Sequence, residues 1–220
     1  MSAARQDPGD GGPCATMADV TETSPLAALG FPPAPDRGLD PYLDAAASCF
    51  ARHGLRRTRV TDIADAVGVS RVTVYRQVGT TEAAARLLLA RELDRLVTSL
   101  VPTLMAADDA DGIVDVIASA VDFATTHPVM RKVLKDEPDL VGAFVMNEFG
   151  TVLDRLLLLA EPVVQRLADI AGGADIDVPV LAEWVARVVL TMVVAPPAVP
   201  PKVFLRAVLR PLLATADGRG

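Results

Sequence analysis

Histidine and cysteine are scarce in this 220-residue chain, two of each, and aromatics make up only 4% of it. Cys14 and Cys49 fall in segments of very different character, so no disulfide framework or metal cluster can be assembled from them. That usage suits a reducing compartment, and a cytoplasmic location is expected. Neither histidine, His53 beside Gly54 or His127 before Pro128, has a carboxylate or second histidine at metal-binding spacing. No glycine-rich phosphate loop is present either: Gly9, Gly11 and Gly12 have no strand pattern before them. Catalysis needs a nucleophile, an acid–base group or a metal held in register. His53 is expected to cap carbonyls, and Asp108-Asp109 and Asp136-Glu137 to be solvated helix ends. No enzymatic function, cofactor or metal is expected.

Long apolar runs are also missing. The stretch 184–197 is interrupted by Arg187 and falls short of the roughly 20 residues that span a bilayer. The first residues show no basic start followed by an apolar block. Neither a membrane span nor a secretory leader is expected.

What is present is a 51% hydrophobic composition in which Ala, Leu and Val abound. That excludes a wholly disordered chain and favours helices over a β-sandwich. Residues 1–38 hold five Gly and six Pro without a period and read as a disordered tail. Asp40-Pro41 is expected to cap a first helix that Gly54 stops. A second helix, capped near Thr58 or Thr61, ends at Gly68, and a third begins at Ser70. A long helix is predicted near 81–105, then others near 111–126, 128–136, 138–171, 178–195 and 200–215. Pro162 is expected to kink or divide the 138–171 segment. The fold class is all-α: a helix-turn-helix domain at 39–84, then a helical effector-binding and dimerisation domain at 85–220.

The net charge of −7 argues against a general nucleic-acid coat, but the charge is uneven. Residues 52–76 carry six arginines and two aspartates in an otherwise acidic chain, which points to a localised phosphate-facing surface. Within that stretch Ala64 lets two helices cross closely, Gly68 supplies a sharp turn and Val69 plugs the gap. Ile63, Val69 and Val74 form a compact core while Arg71, Thr73, Tyr75 and Arg76 face outward. The alternative is an amphipathic hairpin with a solvated charged face.

These residues resemble those of the TetR-type transcriptional repressors: Ala45-Ala46, Phe50, Gly54, Asp62-Ile63-Ala64, Gly68-Val69-Ser70, Thr73-Val74-Tyr75 and Glu82. The stretch from His127-Pro128 to Asp136-Glu137-Pro138 looks like that of many actinobacterial members. Two positions depart from the pattern. Val78 stands where members usually have an aromatic, and Thr81 where they usually have a phosphate-touching lysine. The resemblance implies that the third helix enters the major groove of an operator. Arg71 would read guanine through its fork. Val72 would meet a thymine methyl, and Thr73 and Tyr75 would hold phosphates. Ser70 caps the helix beside the phosphates, and Thr61, Arg76, Gln77 and Thr81 complete the candidate DNA-binding set. Tyr75 is open to a second role, as a core residue.

A single such unit reads too little DNA to be selective, so a homodimer on a palindrome is expected. The segments 178–195 and 200–215 are its candidate interface, because the first is apolar on nearly every face. The alternative is that 178–194 is the core helix of a monomer. Phe123, Met130, Leu134, Phe144, Asn147, Glu148 and Trp184 are candidates for an effector pocket, whose lack of charge suits a small apolar or amphipathic ligand; a filled core is the alternative there. The expected function is a repressor released from DNA by that ligand. The competing reading is a helix-turn-helix protein acting through protein partners without a small-molecule effector.

Overall fold

A computed structural model of the chain describes residues 34–170 and 177–217. Among them are nine α-helices, one short 3-10 turn and no strand. In chain order they are α1 (Asp40–His53), α2 (Val60–Val67), α3 (Arg71–Val78), α4 (Thr81–Ala106), α5 (Ala110–Thr126), α6 (Pro128–Asp136), α7 (Pro138–Ile170), α8 (Val178–Val194) and α9 (Pro201–Asp217). The chain bends by 65° between α5 and α6, at His127. No single helix is long and apolar enough to cross a membrane.

Two apolar cores account for the packing. The first is enclosed by α1, α2, α3 and the start of α4, with Leu43, Phe50, Ile63, Val74 and Ala84 all at 0% exposure. Val78 fills the place where an aromatic was the expected residue and is itself buried. The second core joins α5 (Ile113, Val121), α7 (Val164, Leu167), α8 (Val185, Met192) and α9 (Leu205, Leu209). Each fully buried side chain of this size contributes about 1.5–3 kcal/mol. Helix α4 belongs to both: Ala84 and Leu88 pack in the first core and Leu104 against the second.

Between the cores, apolar contact thins to Val97 with Leu93 and Leu159 and to Val129 of α6 on the first core, and charge joins it. The Arg91 side chain on α4 is 7% exposed and lies 2.9 Å from Asp40 Oδ1, Asp44 Oδ1 and Glu92 Oε1. Burial opposes its charge, but hydrogen bonds to Asp40, Glu92 and Asp44 outweigh burial and hold the guanidinium charged. On the far side of the bundle, Arg206 of α9 donates to Asp111 of α5 at 3.0 Å, and Lys202 pairs with Asp115.

Several local expectations need correction. Asp40 does not cap α1. Asp36 caps the preceding 3-10 turn by accepting from Gly38 N, Leu39 takes the cap position, and Asp40 serves Arg91 instead. Neither Thr58 nor Thr61 caps α2. Its start is fixed by Asp62, which accepts from Arg59 N at 2.7 Å, while the Thr58 hydroxyl donates to Gly54 O at 2.7 Å. Of the two outcomes expected at Pro162, a kink or a division, division does not occur: α7 is continuous from Pro138 to Ile170. The proline ring lies on the exposed face, where water can serve the freed carbonyl, and buried Ala160, Val164 and Leu167 hold the helix through it. Near the end of α1 the side chain that reaches back to a carbonyl is Arg52, donating to Ser48 O at 3.2 Å. Asp109 is more than a solvated end, since it caps α5 through Gly112 N at 2.7 Å. Glu137 is not a solvated end but a buried one, at 8% exposure.

Candidate nucleic-acid interface

Two eight-residue helices build the candidate surface, and helices this short need help at their ends. Gly68 supplies it to α2. At φ +80° it adopts the left-handed conformation that side chains disfavour, and the N–H groups of Gly68 and Val69 both close on Ala64 O, at 2.9 and 3.0 Å. Ser70 supplies it to α3. Its Oγ accepts from Thr73 N at 3.1 Å and lies 2.9 Å from Thr73 Oγ1. Ala64 is 3% exposed at the crossing, and Val69 packs against the core from the turn.

The two faces of α3 then separate cleanly. Val74 and Val78, one turn apart, are buried; Arg71, Val72, Tyr75 and Arg76, also one turn apart in pairs, are exposed. Val72 is 72% exposed and Tyr75 49%, so the tyrosine is not a core residue in this structure. Gln77 is exposed, and Thr73 is half-buried by its bond to Ser70. Thr61 is exposed on the first turn of α2. Thr81 opens α4 half-buried, behind Thr80, which caps that helix through Ala83 N at 3.2 Å. Beside it Glu82 is held below the ordinary glutamate range, first by its own backbone N–H, then by the Thr80 hydroxyl and by Arg86. The exposed face of α3 thus carries two arginines, a tyrosine hydroxyl and an apolar side chain, the kinds of group that can meet phosphates and base edges.

The arginine run before α2 serves two ends. Arg56 pairs with Asp139 at the start of α7. Arg57 and Arg59 are exposed and, with His53 and Asp62, line an open polar groove of about 290 Å³. The sequence shows Arg57 and Arg59 only as members of the arginine run, with nothing local to set them apart from Arg56. Among the described residues no group of three or more His, Cys, Asp or Glu side chains could hold a metal ion. The structure does bring His127 Nε2 to 3.9 Å from Glu92 Oε2, a proximity that spacing along the chain concealed.

The effector-pocket candidates are scattered. Trp184 packs against the bundle core, the Phe123 and His127 rings lie 6.0 Å apart, and Met130 and Leu134 are half-buried on α6. Phe144, Asn147 and Glu148 lie outside the described side chains.

Residues 43–83 match the family model for bacterial regulatory proteins, tetR family. No curated protein sequence matches the chain. Among solved structures, the fatty acid degradation regulator FadR from Bacillus halodurans has a similar fold, with a TM-score of 0.57 at 18% identity over 84% of this chain and 97% of that one. The TetR family repressor AlkX from Dietzia sp. strain DQ12-45-1b, implicated in biodegradation of n-alkanes, gives a TM-score of 0.56 at 16% identity over 80% of this chain and 94% of that one.

Proposed function

We propose that this chain, which carries at residues 43–83 the helix-turn-helix domain of the tetR family of bacterial regulatory proteins, is a dimeric repressor that an apolar or amphipathic ligand releases from a palindromic operator. The observation that carries the reading is the exposed face of α3. Arg71, Val72, Tyr75 and Arg76 stand clear of the core on a helix whose first turn is capped by Ser70, so side chains and backbone N–H groups meet DNA together. Arg71 reads a base; Thr73, Tyr75, Thr61 and Thr81 hold the backbone; Arg76 and Gln77, in the last turn of α3, extend the contact. Arg57 and Arg59 widen the basic surface toward the phosphates. Because Thr81 brings no charge, affinity falls less steeply with salt than it would with a lysine there.

Dimerisation rests on α8 and α9. Both bury one face in the bundle, yet Val180, Val194, Val199 and Val203 remain 44–63% exposed on the same two helices and the link between them. Apolar side chains left open on two helices that follow one another in the chain and both pack on α5 suit a four-helix contact between subunits. The ligand is taken up by the helical bundle, where the candidates Phe123, Met130, Leu134 and Trp184 are apolar and only half-buried though not gathered around one cavity. Its effect is a population shift toward a spacing of the reading helices that DNA does not fit, and such couplings are typically about 1–3 kcal/mol. The processes named for the two fold neighbours, fatty acid degradation and biodegradation of n-alkanes, involve compounds of the apolar or amphipathic kind proposed here.

Selection of bound duplex from a random pool tests the core of this. A palindrome with half-sites about one helical turn apart, or a multiple of it, is the expected result. Retention of no duplex even at low salt would overturn it and leave a helix-turn-helix protein that works through protein partners.

A further inference from the structure

The turn between α1 and α2 is gripped from outside the DNA-binding unit. Glu137, between α6 and α7, is buried, and its two carboxylate oxygens accept from Leu55 N and Arg56 N, each at 3.1 Å. Glu137 stands between the negative end of the α6 dipole and the positive end of the α7 dipole, so the dipoles alone do not fix it. Burial there adds a desolvation cost, so the two N–H bonds are what hold it in place. The rest of the turn is shaped around it. Gly54 has φ +85°, and a Cβ on it would lie 2.6 Å from Glu137 Oε1, so glycine both makes the turn and admits the carboxylate. The Thr58 hydroxyl closes the loop onto Gly54 O. Two residues beyond Glu137, Asp139 pairs with the Arg56 side chain. The α6–α7 junction therefore holds one short turn by main chain and side chain at once, and Val129 of α6 packs on the same small core.

We propose that Glu137 is a positioning residue for the DNA-reading helices: a carboxylate latch through which movement of α6 and α7 is delivered to α2 and α3 by way of the 54–56 backbone. This rests on the DNA-binding reading above. The latch is a second connection, separate from the continuous helix α4. It starts from α6, the helix that carries the effector-pocket candidates Met130 and Leu134. A ligand that displaces the α6–α7 junction pulls on two backbone donors that lie four to five residues before the start of α2, with little slack between.

The test uses the full-length protein with Glu137→Ala and the isosteric Glu137→Gln, which retains one acceptor and keeps a folded variant available. Spin-labelled unnatural amino acids at the exposed positions 65 and 122, in labelled subunits diluted with unlabelled ones, report the angle between the two units. Hydrogen exchange reports the Leu55 and Arg56 amides. Well below the unfolding temperature, those amides should exchange at least about tenfold faster, the loss expected when a hydrogen bond to a charged group goes. The 65–122 distance distribution should broaden, and affinity for the duplex selected by the unaltered protein should fall about tenfold, with Glu137→Gln intermediate. A lowered melting temperature with unchanged distance distribution would overturn the latch and leave Glu137 a stabilising residue only. If the unaltered protein selects no duplex, the repressor reading fails, while the distance and exchange data still decide whether Glu137 sets the angle.

Discussion

The three-helix unit and the helical bundle are held together in different ways. In the unit, two of the three helices have only eight residues, and nearly every end is set by an identified local group: Gly54, Asp62, Gly68, Ser70, Gly79 and Thr80. In the bundle, helices of 17 and 33 residues are held chiefly by apolar side chains, on α7 along Leu153 to Ile170. Capped turns have one geometry, whereas apolar faces tolerate small shifts of one helix against another. A surface that must match another molecule thus stands on rigid local chemistry, and the region proposed to take up a ligand stands on adaptable packing. Charge concentrates where the two meet, at Arg91 and Glu137.

The largest test of this contrast is in the cores. Phe50→Ala removes the largest fully buried side chain of the small unit and should cost about 3–5 kcal/mol; Ile113→Ala in the bundle should cost about 2–5 kcal/mol. In urea unfolding followed by helicity, Phe50→Ala should melt the small unit first and leave most of the helical signal. A single shared transition in both variants would break the contrast and make the two cores one cooperative body. Arg91→Met comes next. It removes the buried cation that Asp40, Asp44 and Glu92 share and leaves only the half-exposed Arg95 to serve Asp40 and Glu92, and the expected loss is about 2–3 kcal/mol, partly restored by adding Asp40→Asn. Full additivity of the two changes would show that the seam is not a network.

On the reading face the effects are smaller and more selective. Arg71→Ala should weaken operator binding by about 1–3 kcal/mol and relax preference at one base pair, whereas Thr61→Ala should weaken all duplexes alike. Gel shifts against single-base operator variants separate the two patterns, and uniform weakening by Arg71→Ala would remove its role as a reader. Ser70→Ala removes the α3 cap and should cost about 1 kcal/mol of stability, read from the shift in the urea midpoint.

The same contrast explains what was legible in the sequence. Helix identity and order followed from apolar spacing, and the α2–α3 turn from Gly68, Val69 and Ser70, because those signals act within four residues. The caps at Thr58 and Thr61 were misassigned because the donor that needed an acceptor was Arg59 N, and the acidic residue three positions on reached it first. Asp40 and Glu137 were misread for a related reason. Their partners, Arg91 and the 55–56 backbone, lie 51 and 82 or 81 residues away, and no local pattern announces them. Of the interface, the outward residues of α3 could be read from the chain because Val74 and Val78 fix which face is buried. Arg57 and Arg59 could not, since only the fold shows that their neighbour Arg56 is the one turned toward Asp139.

The smallest expected effect lies at the boundary between the two regions, where α4 begins. Glu82 is held below the ordinary glutamate value of 4.5 by its own backbone N–H, by Thr80 and by Arg86, so the folded state binds its proton less readily than the unfolded chain does. The contribution is therefore complete above about pH 4.5 and disappears as pH falls through the lower folded value. Glu82→Gln should be slightly less stable than the unaltered protein at neutral pH and equal to it in acid. Glu82 is fully exposed, so salt should shrink its interaction with Arg86. A urea midpoint difference that persists unchanged into acid would assign the effect to the shape of the cap and not to its charge. It would then extend to the start of α4 the rule that local geometry governs the small unit.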